Sequence, residues 1–163
     1  MDIRYAAGLF DGEGYVRVAR WEKPNSRHVR YQVVGGIGMT YLPVIEALRD
    51  QFGGSVNQNR HDLRNPKARI QFTWHIASQT AASFFRRVVP HLMVKRDEVQ
   101  LALELQDSID KYRHKLGHHY SEHPERDKIF AYRANLASRI FALKKRAYAP
   151  LVRSDPSGSV NGH

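Results

Sequence analysis

The sequence contains no cysteine, which excludes disulfides and thiolate metal sites and suits a reducing compartment. No uninterrupted apolar stretch is long enough to cross a bilayer. The first residues, Met1-Asp2-Ile3-Arg4, lack the apolar run of a signal peptide. A soluble intracellular protein is therefore expected, in cytoplasm, nucleoid or an organelle. Acids are also scarce. Only 16 Asp and Glu stand against 26 Lys and Arg, leaving a formal charge of +10 and an isoelectric point near 10.1. Such a field attracts polyanions, of which nucleic acid is the commonest. A ribosomal-type structural protein, a merely basic surface and an anionic-membrane binder share the same charge.

What is present suits one domain with a real core: 163 residues, 42% of them hydrophobic. The spacing of Ile3, Ala6, Ala7 and Phe10 predicts a helix over about residues 2–12, ended by Gly12 and Gly14. Residues 14–22 alternate as a strand, Lys23 to Ser26 form a turn, and a second strand covers 28–37. Thr40 is placed to cap a helix reaching Phe52, with Tyr41, Val44, Ile45 and Leu48 on its apolar face, and Gly53-Gly54 stops it. A third strand spans Ser55 to Arg60. After a polar loop, His61 to Lys67, a fourth strand sets Ile70, Phe72 and Trp74 against Arg69, Gln71 and Thr73. From Ser78 the pattern is helical. One apolar face carries Phe84 and Phe85, a second Leu101 and Leu105, and a third Ile129, Tyr132, Leu136 and Ile140. Phe130 and Phe141 are likewise assigned to core faces, and Gly117 to Pro124 is a loop. The domain is expected to cover residues 1–149, with a disordered Ser- and Gly-rich tail over 150–163. The order αββαββααα predicts an α+β domain with one antiparallel sheet.

The stretch from Tyr5 to Tyr15 stands out. Small side chains let another backbone approach, and Asp11-Gly12-Glu13-Gly14 leaves a carboxylate exposed among glycines. One carboxylate holds Mg²⁺ only in combination with phosphates and water, which a basic protein with a phosphate-bearing substrate would supply. Ala6-Ala7-Gly8-Leu9-Phe10-Asp11-Gly12-Glu13-Gly14 resembles the signature of the LAGLIDADG homing endonucleases. It carries Ala for the first Leu, Phe for Ile, Gly for Ala and Glu for the second Asp. The segment Val88 to Leu105 resembles the family's segment with a basic active-site residue. The resemblance covers roughly residues 3–112.

That resemblance implies an αββαββα fold with a curved four-stranded antiparallel DNA-binding sheet, followed here by extra C-terminal helices. It implies a mobile-element enzyme, intron-encoded, intein-borne or free-standing, that cuts double-stranded DNA site-specifically and leaves short 3′ overhangs. A single motif copy implies a homodimer and a long pseudo-palindromic target. Ala7 and Gly8 would lie where two motif helices meet, and Asp11 would cap the partner's motif helix. Glu13 would be the catalytic metal-binding acid, with the Gly12 carbonyl as a further ligand. The ion implied is Mg²⁺, with Mn²⁺ or Ca²⁺ able to replace it for binding. Lys95 matches the basic active-site residue. The family often has Gln at the end of the second strand, where this chain reads Gly35-Gly36-Ile37-Gly38-Met39. That departure favours the alternative of a cleavage-deficient RNA maturase or DNA-binding regulator.

With Val16, Val18, Val56, Ile70 and Phe72 toward the core, the opposite sheet face should carry Arg17, Arg30, Gln32, Asn57, Asn59, Arg69, Gln71 and Thr73 as base readers. Arg20, Lys23, Arg27, Arg60, Arg64 and Lys67 are assigned to phosphate. His114, His118, His119 and His123 read as a solvated loop rather than a zinc site. Lys144-Lys145-Arg146 is a basic helix end that suits phosphate or the helix dipole.

Overall fold

The structure, a computed structural model, describes residues 1–22, 29–58, 69–113 and 124–147. The Asp2 carboxylate accepts the backbone N–H of Arg4 at 2.8 Å and of Tyr5 at 3.3 Å, and helix α1, Ile3–Glu13, follows. No loop succeeds it. Gly14 donates its N–H to the Phe10 carbonyl and is already the first residue of strand β1, Gly14–Glu22. A Cβ on Gly14 would lie 2.4 Å from that carbonyl oxygen, so only glycine permits the abrupt change. The helix therefore runs through Gly12, and Glu13 is its last residue.

Strand β2, Val29–Met39, continues through Gly35, Gly36 and Gly38, past the end expected from sequence. These glycines serve packing. A Cβ on Gly35 would meet the Phe85 ring at 2.7 Å, and one on Gly36 the Trp74 carbonyl oxygen at 2.3 Å. Helix α2, Leu42–Phe52, starts later than Thr40 would set it. Tyr41 occupies the cap position without a side-chain bond, and Pro43 fixes the first turn instead. Tyr41 is exposed rather than on the apolar face. Gly53 and Gly54, at φ +74° and +94°, turn the chain into β3, Ser55–Gln58. Strand β4 is Phe72–Ala77, so Ile70 precedes it and is 42% exposed, contrary to its expected core position.

All strand pairs are antiparallel, in the order β1-β2-β4-β3. One face buries Val16, Val33, Ile37, Trp74 and Ile76 against α1, α2 and α3 (Ser78–Val88). Phe84 sits at its centre, edge-on to Trp74, Phe52 and Phe10 with ring centroids 4.9, 5.0 and 5.4 Å away. A 3-10 turn, Val89–His91, leads to α4, Arg96–Arg113, which pairs with α5, Arg126–Ala147. Leu101, Ala102 and Leu105 of α4 and Leu136 and Ile140 of α5 belong to the same core. Arg133 is buried on α5 and donates to Ser108 Oγ at 3.1 Å and to its carbonyl at 2.8 Å. Tyr132 and Phe141 are exposed, against expectation. The Tyr132 hydroxyl bonds Glu104, and the Lys145 ammonium lies over the Phe141 ring. Both α4 and α5 touch β1. Among the described residues no helix is long and apolar enough to cross a membrane. The loop expected over Gly117 to Pro124 lies almost wholly outside the described residues, and the tail expected after Pro150 entirely so.

Candidate active site and nucleic-acid interface

The buried Phe10 anchors the end of α1 and fixes the two acids that follow. The Asp11 carboxylate accepts three backbone N–H groups of its own chain: Met93 at 2.7 Å, Val94 at 3.3 Å and Lys95 at 3.0 Å. It thus satisfies donors just ahead of α4. Its oxygens are engaged within the chain, where the resemblance implies a cap on a partner's helix. The Lys95 ammonium donates to the Asp11 carbonyl, which holds it against the last turn of α1, the turn that carries Gly12 and Glu13. Gly12 and Glu13 are exposed. Among the described residues Glu13 has no hydrogen-bond or ion-pair partner.

The small residues divide between two sides. Ala6 and Ala7 are fully buried in their own chain, so Ala7 is not on the open side as expected. Gly8 and Gly12 face open space, where an added Cβ meets nothing within 4 Å. Tyr5 on α1 is also exposed, as are Met93 and Val94 near its end, the latter two by 87% and 75%.

The expected strand parity holds. The pairings Arg17↔Val34, Gly38↔Thr73 and Asn57↔Thr73 put Arg17, Arg30, Gln32, Asn57 and Thr73 on the sheet face opposite the core. Gln71 comes just before β4 and reaches that face beside Gly38. Arg69 is exposed ahead of the strand. Gln32 donates from Nε2 to Ser78 Oγ at 2.9 Å. Arg20 has the parity of Val16 and Val18 and is ion-paired with Glu22 at the strand end. Asn59, Arg60, Lys23, Arg27, Arg64, Lys67 and the four loop histidines lie outside the described residues.

Two features escape sequence reasoning. Trp21, half exposed, shares the face of Arg17 and pairs in register with Arg30. The alternation that placed Arg17 there already implies it. The second feature joins Glu98 of α4 to Lys144 of α5, which linear spacing does not bring together. Partial burial pushes the Glu98 carboxyl up, against the pull of Lys144 and Lys95. Burial also pushes the Lys144 ammonium down, Glu98 opposes this, and Arg17 and Lys95 add to it. Arg17, Lys95, Glu98 and Lys144 therefore share one electrostatic neighbourhood near the end of α1. Burial raises the Tyr15 phenol, with Arg17 opposing. Among the described residues no group of three or more His, Asp or Glu side chains could hold a metal. The donor set at the end of α1, one free carboxylate next to a backbone carbonyl, suits an ion that takes its other ligands from phosphate and water.

No protein-family model and no curated relative matches the sequence. Solved structures do match the fold. The homing endonuclease I-CvuI, in complex with the I-CreI target in the presence of Mg, is 15% identical with a TM-score of 0.66, over 86% of this chain and 80% of that one. The homing endonuclease I-TnaI is 17% identical with a TM-score of 0.57, over 90% and 97%. The LAGLIDADG homing endonuclease I-GzeII, in complex with its DNA target, is 14% identical with a TM-score of 0.54, over 88% of this chain but 44% of its own length. The αββαββα order, the single antiparallel sheet and these superpositions agree: the chain has the LAGLIDADG homing-endonuclease fold.

Proposed function

We propose that the protein is a site-specific, metal-dependent DNA endonuclease acting as a homodimer. The observation that carries this reading is the end of α1. There an exposed Glu13 carboxylate, unspent among the described residues, stands beside Lys95, which is tied to the Asp11 carbonyl. A sheet face bearing Arg17, Arg30, Gln32 and Asn57 adjoins it, with chemistry suited to base edges and phosphates. Hydrolysis adds the oxygen of water to phosphorus, breaks the P–O3′ bond and leaves a 3′-hydroxyl and a 5′-phosphate. Glu13 and the Gly12 carbonyl would hold the divalent ion, Mg²⁺ by expectation, which when bound supplies charge stabilisation and an activated water. Lys95 contributes a fixed positive charge toward the phosphate. The open stripe of Gly8 and Gly12 supports an isologous helix contact, which would bring two Glu13 carboxylates to the two strands of a pseudo-palindromic site.

The test is cleavage of a randomised duplex-DNA library with Mg²⁺ or with EDTA. We expect metal-dependent cutting at one long site by the wild type. Glu13→Gln should retain binding and lose at least about 100-fold in rate. Undiminished cutting by that variant removes Glu13 from the site. Selective binding with no cutting points instead to a DNA-binding regulator or maturase.

A further inference from the structure

The outer sheet face has two bare positions on β2, Gly36 and Gly38, and each is covered from a neighbouring strand. A Cβ on Gly36 would lie 2.7 Å from Tyr15 Oη, so the β1 phenol lies over it. A Cβ on Gly38 would lie 3.2 Å from Gln71 Nε2, 3.7 Å from Gln71 Cδ and 3.6 Å from Thr73 Oγ1. The Gln71 amide therefore reaches across from the β4 side and lies over β2 at Gly38. The register places that spot. Gly14, which follows Glu13, pairs with Ile37, which precedes Gly38. Adjacent strands lie about 4.8 Å apart, so an amide above β2 at Gly38 stands roughly one strand spacing from the start of β1 at Gly14, the residue next to Glu13. Gln71 is exposed, so a duplex lying on this face can reach it.

We propose that Gln71 is a catalytic residue of the nuclease site, not a base reader. Its amide donates to the reacting phosphodiester from the β2 side while Glu13 and Lys95 approach from the α1 side. The inference rests on the proposed endonuclease activity. Water remains the co-reactant: its oxygen bonds to phosphorus, the P–O3′ bond breaks, and the departing 3′ oxygen takes up a proton. Gly38 is part of the device, because a side chain there would occupy the space the amide needs.

The probe is the duplex site selected by wild-type protein from a randomised library. Single-turnover cutting with Mg²⁺, binding with Ca²⁺ and base preference are measured for wild type, Gln71→Ala and Gln71→Glu. We expect both variants to cut about 100-fold more slowly, with base preference unchanged in both and Kd unchanged in Gln71→Ala. The glutamate should do no better than alanine, since it has the shape but no donor. Unchanged rates in a wild type that cuts overturn the assignment of Gln71 and leave the nuclease reading standing. A lost preference at one base pair with weakened binding also overturns it, because a base reader behaves so. A wild type that binds but never cuts overturns the nuclease reading and this inference together.

Discussion

At the scale of single residues, the two acids of the motif are spent differently, and their partners account for it. Asp11 holds three amide donors, whereas Glu13 is left to solvent. A third acid, Glu98, is neither free nor fully paired. Burial raises its carboxyl above the ordinary 4.5, and Lys144 and Lys95 offset this only in part. A carboxyl raised on folding binds its proton more tightly in the native state. Its contribution to stability is therefore greatest when protonated and falls as pH rises from the unfolded value through the folded one. Glu98→Gln has no such loss. Urea unfolding of both proteins at about pH 4 and pH 7 should show the variant gaining on the wild type at the higher pH. A constant difference between them would mean that the carboxyl does not titrate differently in the folded state.

At the scale of elements, Asp11 is a joint. It belongs to α1, yet its carboxylate closes the turn that starts α4. The same turn carries Lys95, so the two helices are set against each other by one side chain. Asp11→Ala leaves three N–H groups without that acceptor and should cost about 1–3 kcal/mol, read as a lower urea midpoint. An unchanged midpoint would show that water replaces the carboxylate without loss. This joint is not legible in the sequence, because nothing local links residue 11 to residues 93–95. The sheet is far more legible. Val16 and Val18 alternate with Arg17, and Phe72 and Trp74 with Thr73, so a one-residue slip would bury charge, which fixes the parity. Element ends read less well. Thr40 looks like a cap, but Pro43 decides where α2 starts. Ile70 looks like core, but β4 has not yet begun there. Glycines usually read as breaks, yet Gly35 and Gly36 continue β2, because their missing side chains make room for Phe85 and Tyr15. Of the candidate site, Glu13 and Lys95 come from motif resemblance. Glu98 and Lys144 become visible only when α4 and α5 pack together beside β1.

At the scale of the whole molecule, the excess of positive charge and the asymmetry of α1 bear on assembly. A chain of net charge +10 repels its own copy, so a dimer must rest on close apolar packing instead. Helix α1 offers that on one side only. Ala6, Ala7 and Phe10 are used up in the core, while Gly8 and Gly12 leave backbone open beside the exposed Tyr5. Gly8→Leu tests this cleanly, because a Cβ at Gly8 meets nothing within its own chain. Replacing a helical glycine should itself favour the helix by up to about 1 kcal/mol, so the monomer fold is not at risk. In an isologous contact the same substitution enters twice and holds the two backbones apart. The expected result is a variant with unchanged or higher thermal stability at low concentration that sediments as a monomer where the wild type is dimeric. Such a variant should nick one strand slowly rather than cut both, since only one Glu13 would be delivered at a time. A wild type that is itself a monomer removes the homodimer, and if both proteins sediment as dimers the contact lies elsewhere. The pairing of the two acids across a palindrome would then have to be sought on another face of the molecule.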